Sequence, residues 1–155
     1  MAYELSTLGI TVNYAVETTA GTRPTTGYTK VAHIKNVPDL AVAPSGIDVT
    51  DLEETHNRRY VPGLVDYGDS LGFTANLTSD LITTWATAVT AADTAWTTGK
   101  ATWWEIKIPK LGKSFYFSGL PVELGISSAD VNAALETVCY ITPQAFAGFD
   151  TPSTT

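Results

Sequence analysis

The sequence predicts an α+β fold, mainly antiparallel β, with one helix. Three observations carry this. Residues 70 to 77 alternate without a break: Leu71, Phe73, Ala75 and Leu77 point one way, Ser70, Gly72, Thr74 and Asn76 the other. A single stretch, Leu81 to Trp96, has apolar residues at helical spacing, namely Leu81, Trp85, Ala88, Val89, Ala92 and Trp96. The chain is also poor in charge (16%) and rich in Thr, with seven Tyr and four Trp, residue types that suit a pleated, half-buried surface. Its 155 residues are enough for one domain with a core, and no linker-like stretch divides them, so residues 1–155 are expected to form a single domain.

In chain order, Gly9 to Val16 is a strand candidate with Ile10, Val12 and Tyr14 on one face. Residues 17–27 hold Gly21, Pro24 and Gly27 and read as an exposed loop. Lys30 to Val37 is a second strand candidate, stopped by Pro38. Residues 38–68 show no clear period and read as an extended arm, with Ala41 to Ala43 as a candidate strand end and Pro62-Gly63 turning the chain back. A helix is expected over residues 80–98, capped by Ser79 or Asp80 and ended by Gly99, with its apolar stripe packed on the core. Strands follow at Thr102 to Ile108, Ser114 to Glu123 and Asn132 to Thr142, and residues 143–155 read as a mobile or docking tail. The last strand has no clean polar face; Glu136, beside Val138 and Tyr140, is assigned outward because burying an unpaired carboxylate is costly.

Charge and motif content exclude several functions. A net charge of -7 is a poor basis for gripping phosphate backbones, although an acidic or neutral surface lets DNA slide past without trapping it. The one cysteine, Cys139, has no partner for an intrachain disulfide and reads as a buried strand residue. No run approaches the ~20 apolar residues of a membrane span. Met1-Ala2-Tyr3-Glu4 lacks the basic and apolar start of a signal peptide, so synthesis and use in a cytoplasm are expected.

Gly68-Asp69-Ser70-Leu71 spells the letters of the GDSL hydrolases, but both histidines, His33 and His56, precede Ser70 and no Asp-x-x-His follows it. Glu53-Glu54-Thr55-His56, with Asp51 or Asp48, offers metal donors, yet a solvated charged loop explains the cluster more simply. Gly99-Lys100-Ala101-Thr102 lacks the first glycine of a phosphate loop, position 94 being Thr. No catalytic residue, metal ligand or cofactor site is assigned, and the chain is not expected to be an enzyme.

Two stretches carry a resemblance to a known family. The first is Ile47-Asp48-Val49-Thr50-Asp51-Leu52-Glu53-Glu54-Thr55, then Tyr60-Val61-Pro62-Gly63-Leu64-Val65-Asp66-Tyr67-Gly68-Asp69, running into Leu71-Gly72-Phe73-Thr74-Ala75-Asn76-Leu77. The second is Phe115-Tyr116-Phe117-Ser118-Gly119 followed by Leu135 to Pro143. In order and spacing they resemble the major tail tube proteins of long, non-contractile phage tails, over roughly residues 30–143.

That resemblance implies a β-sandwich or barrel-like subunit with one flanking helix and a long inter-subunit loop. Six subunits would form a ring, and rings would stack into a hollow tube through which DNA passes into the host. It implies residence in the virion tail after assembly in the host cytoplasm, with tape measure, tail terminator and distal tail proteins as partners. Ser70, Thr74, Asn76 and Glu136 are the expected channel-facing residues. The arm at 47–67, with Asp48, Asp51, Glu53, Glu54, Arg58, Arg59, Tyr60 and Asp66, is the expected contact between subunits. The rival readings are a tube protein of a contractile tail or related secretion system, and an adhesin-like or decoration module that does not polymerise.

Overall fold

The structure, a computed structural model, describes Ser6 and residues 8–154. The Met1-Ala2-Tyr3-Glu4 start read above and Thr155 lie outside the described residues. Strands β1 (Thr11–Val16), β2 (Thr29–Val31), β3 (Ile34–Asn36), β4 (Gly46–Asp48), β5 (Tyr60–Pro62) and β6 (Leu71–Asn76) precede helix α1 (Ser79–Thr97). Strands β7 (Thr102–Ile108), β8 (Lys113–Pro121) and β9 (Glu136–Asp150) follow it. Among the described residues, seven strands form one antiparallel sheet in the order β2-β1-β7-β8-β9-β6-β3, and β4 pairs with β5 in a separate two-stranded sheet.

The two edge strands of the large sheet, β2 and β3, are consecutive in the chain and separated only by Ala32 and His33. At about 3.5 Å per residue, that link holds the two edges close together. The sheet therefore curls into a nearly closed barrel whose seam is spanned by the chain itself. His33 takes the left-handed conformation that this corner needs (φ 67°), and its carbonyl accepts from the Asn76 amide at 3.0 Å. The single strand expected over residues 30–37 is thus two short ones, broken by the corner.

The core sits on the concave face. Tyr14, Trp104 and Phe117 lie in register across β1, β7 and β8, and Phe73 of β6 stacks on Phe117 with ring centres 6.2 Å apart. Helix α1 packs over this face against β1, β2 and β8. Trp85 meets Trp104 at 5.4 Å, both rings fully buried. Their indole N–H groups are satisfied by the carbonyls of Val122 (2.6 Å) and Gly119 (3.0 Å), so neither ring buries an orphan donor. The cap is Thr78, whose hydroxyl accepts from the Leu81 amide at 3.2 Å, and not Ser79 or Asp80. Ala95 completes the buried stripe in place of Trp96, which is 56% exposed.

The last strand is the main correction. It begins at Glu136 and continues through Pro143 to Asp150, so most of the expected tail is sheet. Its first half pairs with β6 and its second half with β8, Ile141 registering with both Leu71 and Pro121. Proline is tolerated because it sits at an irregularity opposite Gly119. A Cβ on Gly119 would come within 2.7 Å of Ile141 Cγ2 and 2.8 Å of the Thr142 carbonyl, so only glycine permits the two strands to approach here.

The opposite face of β7 and β8 is closed by polar chemistry. Glu105 is fully buried, and its carboxylate accepts from Asn13 Nδ2 (3.0 Å), the Ser153 amide (2.9 Å) and the Ser153 hydroxyl (2.7 Å). The Tyr116 hydroxyl lies 2.9 Å from Glu105 and 2.7 Å from the Thr151 carbonyl, its single proton shared between two acceptors. The Thr154 amide donates to the Thr25 carbonyl at 3.1 Å. Residues 151–154 are therefore strapped to the chain's own sheet. Burial alone would push the Glu105 carboxyl up, but hydrogen bonds from Ser153 and Asn13 bring it below its ordinary value.

Residues Asp39–Gly68 form a second compact unit. The expected arm contains a hairpin: Gly46, Ile47 and Asp48 pair with Pro62, Val61 and Tyr60. Pro62 lies inside β5 and does not turn the chain, and Ala41 to Ala43 are outside any strand.

Candidate functional site

Two surfaces hold the residues singled out in the sequence. The first is the convex face of β6 and β9. Leu71, Phe73 and Ala75 are buried, and the intervening Gly72, Thr74 and Asn76 face outward opposite Tyr140, Val138 and Glu136. Ser70 is exposed just before β6 begins. Glu136 is half-buried on the same face and pairs with Lys35, which neutralises it. The face is thus close to neutral, combining Gly72, Thr74 and Asn76 with the larger Val138 and Tyr140, a surface with little attraction for a polyanion. Gly72 gives it relief: a Cβ there would lie 2.9 Å from Val138 Cγ1 and 3.2 Å from the Tyr140 ring.

The second surface is the hairpin unit. Asp48 and Tyr60 face each other across the ladder. Asp48, Asp51 and Asp66 each accept a backbone N–H two residues on, from Thr50 (2.9 Å), Glu53 (3.1 Å) and Gly68 (2.9 Å). These aspartates shape turns. The Thr50 hydroxyl and amide hold the Asp48 carboxyl below its usual range. Glu54 and Arg59 form an exposed ion pair at 3.3 Å, a contact of small energetic value. Glu53 and Arg58 have no side-chain partner among the described residues.

Sequence reasoning weighed the charges of this unit and missed its apolar content. Ile47, Val49, Tyr60, Val61 and Val65 are exposed, Leu64 is 91% exposed and Leu52 is entirely so. Apolar residues gathered in a segment too short to bury them were the available signal. It also missed the Glu105 cluster, for which a lone acid inside the apolar run Trp103-Trp104-Glu105-Ile106 was the signal.

No family model matches the chain, and no curated protein matches it in sequence. Among solved structures, it is similar to a chain in the six-fold symmetrised baseplate of the anti-feeding prophage (AFP), with a TM-score of 0.62 and 14% identity, covering 96% of this chain and 97% of that one. It is also similar to a chain in the AFP tube-terminating cap, with a TM-score of 0.58 and 13% identity, covering 97% and 93%. At these identities the likeness is one of fold.

Proposed function

We propose that this chain is a structural subunit of a phage tail or tail-like particle that forms hexameric rings, and that the rings stack into the hollow tube of a non-contractile tail through which DNA passes. The observation that carries the reading is the Asp39–Gly68 unit, a two-stranded hairpin with exposed Ile47, Val49, Leu52, Tyr60, Val61, Leu64 and Val65. An isolated two-stranded hairpin is marginal in water, and apolar exposure of this kind fits a surface that neighbours cover. The fold likeness to chains of a six-fold baseplate and a tube cap supports the setting.

In this reading Asp48, Asp51, Glu53, Glu54, Arg58, Arg59, Tyr60 and Asp66 lie at joints between subunits. Ser70, Thr74, Asn76 and Glu136 line the channel, where a near-neutral wall lets DNA move without being held. The protein acts in the virion tail after assembly in the host cytoplasm, meeting tape measure, terminator and distal tail proteins at the tube and its ends. Its role is architectural, with no catalytic step assigned.

A second reading follows from the neighbours being a baseplate chain and a cap chain: a ring that closes one end of a tube and does not stack. Negative-stain microscopy of concentrated protein separates the two. Hollow filaments with a regular ring repeat support the tube, solitary rings support the end ring, and a monomer at every concentration sinks both.

A further inference from the structure

We propose that the tip of the hairpin unit in one copy seats on the β7–β8 corner of a second copy, with Leu52 against Leu111 and Phe149 and with Asp51, Glu53 and Glu54 facing Lys110 and Lys113. The inference rests on the assembly reading above and names the acceptor for its joint.

The donor is acidic and apolar. Residues 39–68 hold six carboxylates and two arginines. At the tip, the Asp51 carboxylate accepts the Glu53 amide and the Asp51 carbonyl accepts the Glu54 amide at 3.3 Å, so Leu52 projects at full exposure from a fixed turn flanked by three acids. The only basic partner that turn holds among the described residues is Arg59, on Glu54.

The acceptor is basic and apolar. The β7–β8 turn is closed by the Leu111 amide on the Ile108 carbonyl at 3.1 Å, with Gly112 in the left-handed conformation. Lys110 and Lys113 are exposed there and form no ion pair among the described residues; Lys110 reaches only the Ser6 hydroxyl, at 3.4 Å. Lys113 shares a strand face with Phe115, which meets Phe149 edge-on at 5.3 Å. Phe149 is 63% exposed and Leu111 is exposed beside the turn. The nearby Asp150 is held by Arg23 at 2.6 Å and also feels the charge of Lys113, so one of the two lysines is partly offset within the chain.

An apolar recess between α1 and the chain after β8 fits the tip less well. It is lined by Ile82, Trp85, Val89 and Glu123, and α1 carries Asp80 and Asp93 with no lysine or arginine. An acidic tip is repelled there and attracted to the lysine corner. Exposed charge pairs contribute little affinity singly, so the lysines supply steering and register while covering Leu52 supplies the attraction. Repetition around a ring multiplies both.

The test is charge reversal with rescue. Lys110→Glu with Lys113→Glu is expected to raise the concentration needed for assembly about tenfold or more, read by sedimentation and electron microscopy. Adding Glu53→Lys and Glu54→Lys to the same chain should restore assembly. Because these are surface changes, circular dichroism should be unaltered; should either set unfold, a mixture of singly substituted Leu52→Cys and Leu111→Cys chains still decides, with an intermolecular disulfide in assemblies expected. The buried Cys139 stays out of that reaction. Assembly of the lysine reversal at wild-type concentration, failure of the rescue in folded protein, or absence of the cross-link in otherwise normal assemblies overturns the docking and leaves the assembly reading standing. A wild-type protein that never assembles overturns both.

Discussion

The Ser153 hydroxyl donates to one oxygen of the buried Glu105 carboxylate at 2.7 Å while the Ser153 amide donates to the other at 2.9 Å. One residue near the end of the chain thus satisfies both oxygens of a charge set in the middle of the sheet. Removing either partner strands the other. Glu105→Ala is expected to cost about 2–4 kcal/mol, since donors on Asn13, Tyr116 and Ser153 lose a charged acceptor in a dry site. Ser153→Ala combined with Glu105→Ala should cost clearly less than the two single losses added. Urea unfolding of the four proteins in a double-mutant cycle measures this, and additivity would sink the clasp.

Acid should release the same clasp. The Glu105 carboxyl lies below its ordinary 4.5 in the folded chain. Its contribution is therefore full above the unfolded value and is lost as pH falls through the folded value. Thermal melts between about pH 6 and pH 3 should show wild type losing stability more steeply than Glu105→Gln, which keeps the shape without the titration. Asp48 and Asp150, also held below their usual range, titrate in both proteins and cancel in the comparison.

The hairpin should separate folding from assembly. Leu52→Asp with Leu64→Asp is expected to change monomer stability by no more than about 0.5 kcal/mol, because both side chains are almost wholly in solvent. The same variant should fail to form tubes. Tubes of normal length from it in electron micrographs would remove the hairpin from the joint.

Gly119→Ala should be costly for one methyl group. The added carbon meets Ile141 and the Thr142 carbonyl closer than van der Waals contact allows, and one of those neighbours is backbone. About 1–3 kcal/mol of destabilisation is expected from urea unfolding. Gly99→Ala, where the glycine takes a positive φ with open space around it, provides the comparison for a purely conformational penalty.

The fold class was legible because Leu71, Phe73 and Ala75 alternate cleanly and Leu81, Trp85, Ala88 and Ala92 keep helical period; both patterns come from burial on one side only. The length of β9 was hidden by Pro143, a reliable strand breaker unless the partner strand has a glycine opposite, and pairing partners cannot be read along the chain. The division of residues 30–37 into β2 and β3 was hidden for the same reason, since the corner at His33 is imposed by closure of the whole sheet. Trp96 was assigned inward from helical spacing, whereas the buried stripe continues through Ala95 and leaves Trp96 exposed. Of the surfaces, the outward face of Thr74 and Asn76 followed from alternation. The Glu136–Lys35 pair did not, because it joins residues a hundred positions apart.

The position of β9 bears on when the fold is completed during synthesis. It is the last of the described strands to be made, yet it lies between β8 and β6 in the sheet. Until β9 emerges, the nascent chain has two unconnected partial sheets, β2-β1-β7-β8 and β6-β3, each presenting an open edge. A polypeptide released early lacks the strand that joins them and the Ser153 strap that neutralises Glu105. Interrupted translation products are thereby kept from completing the sheet.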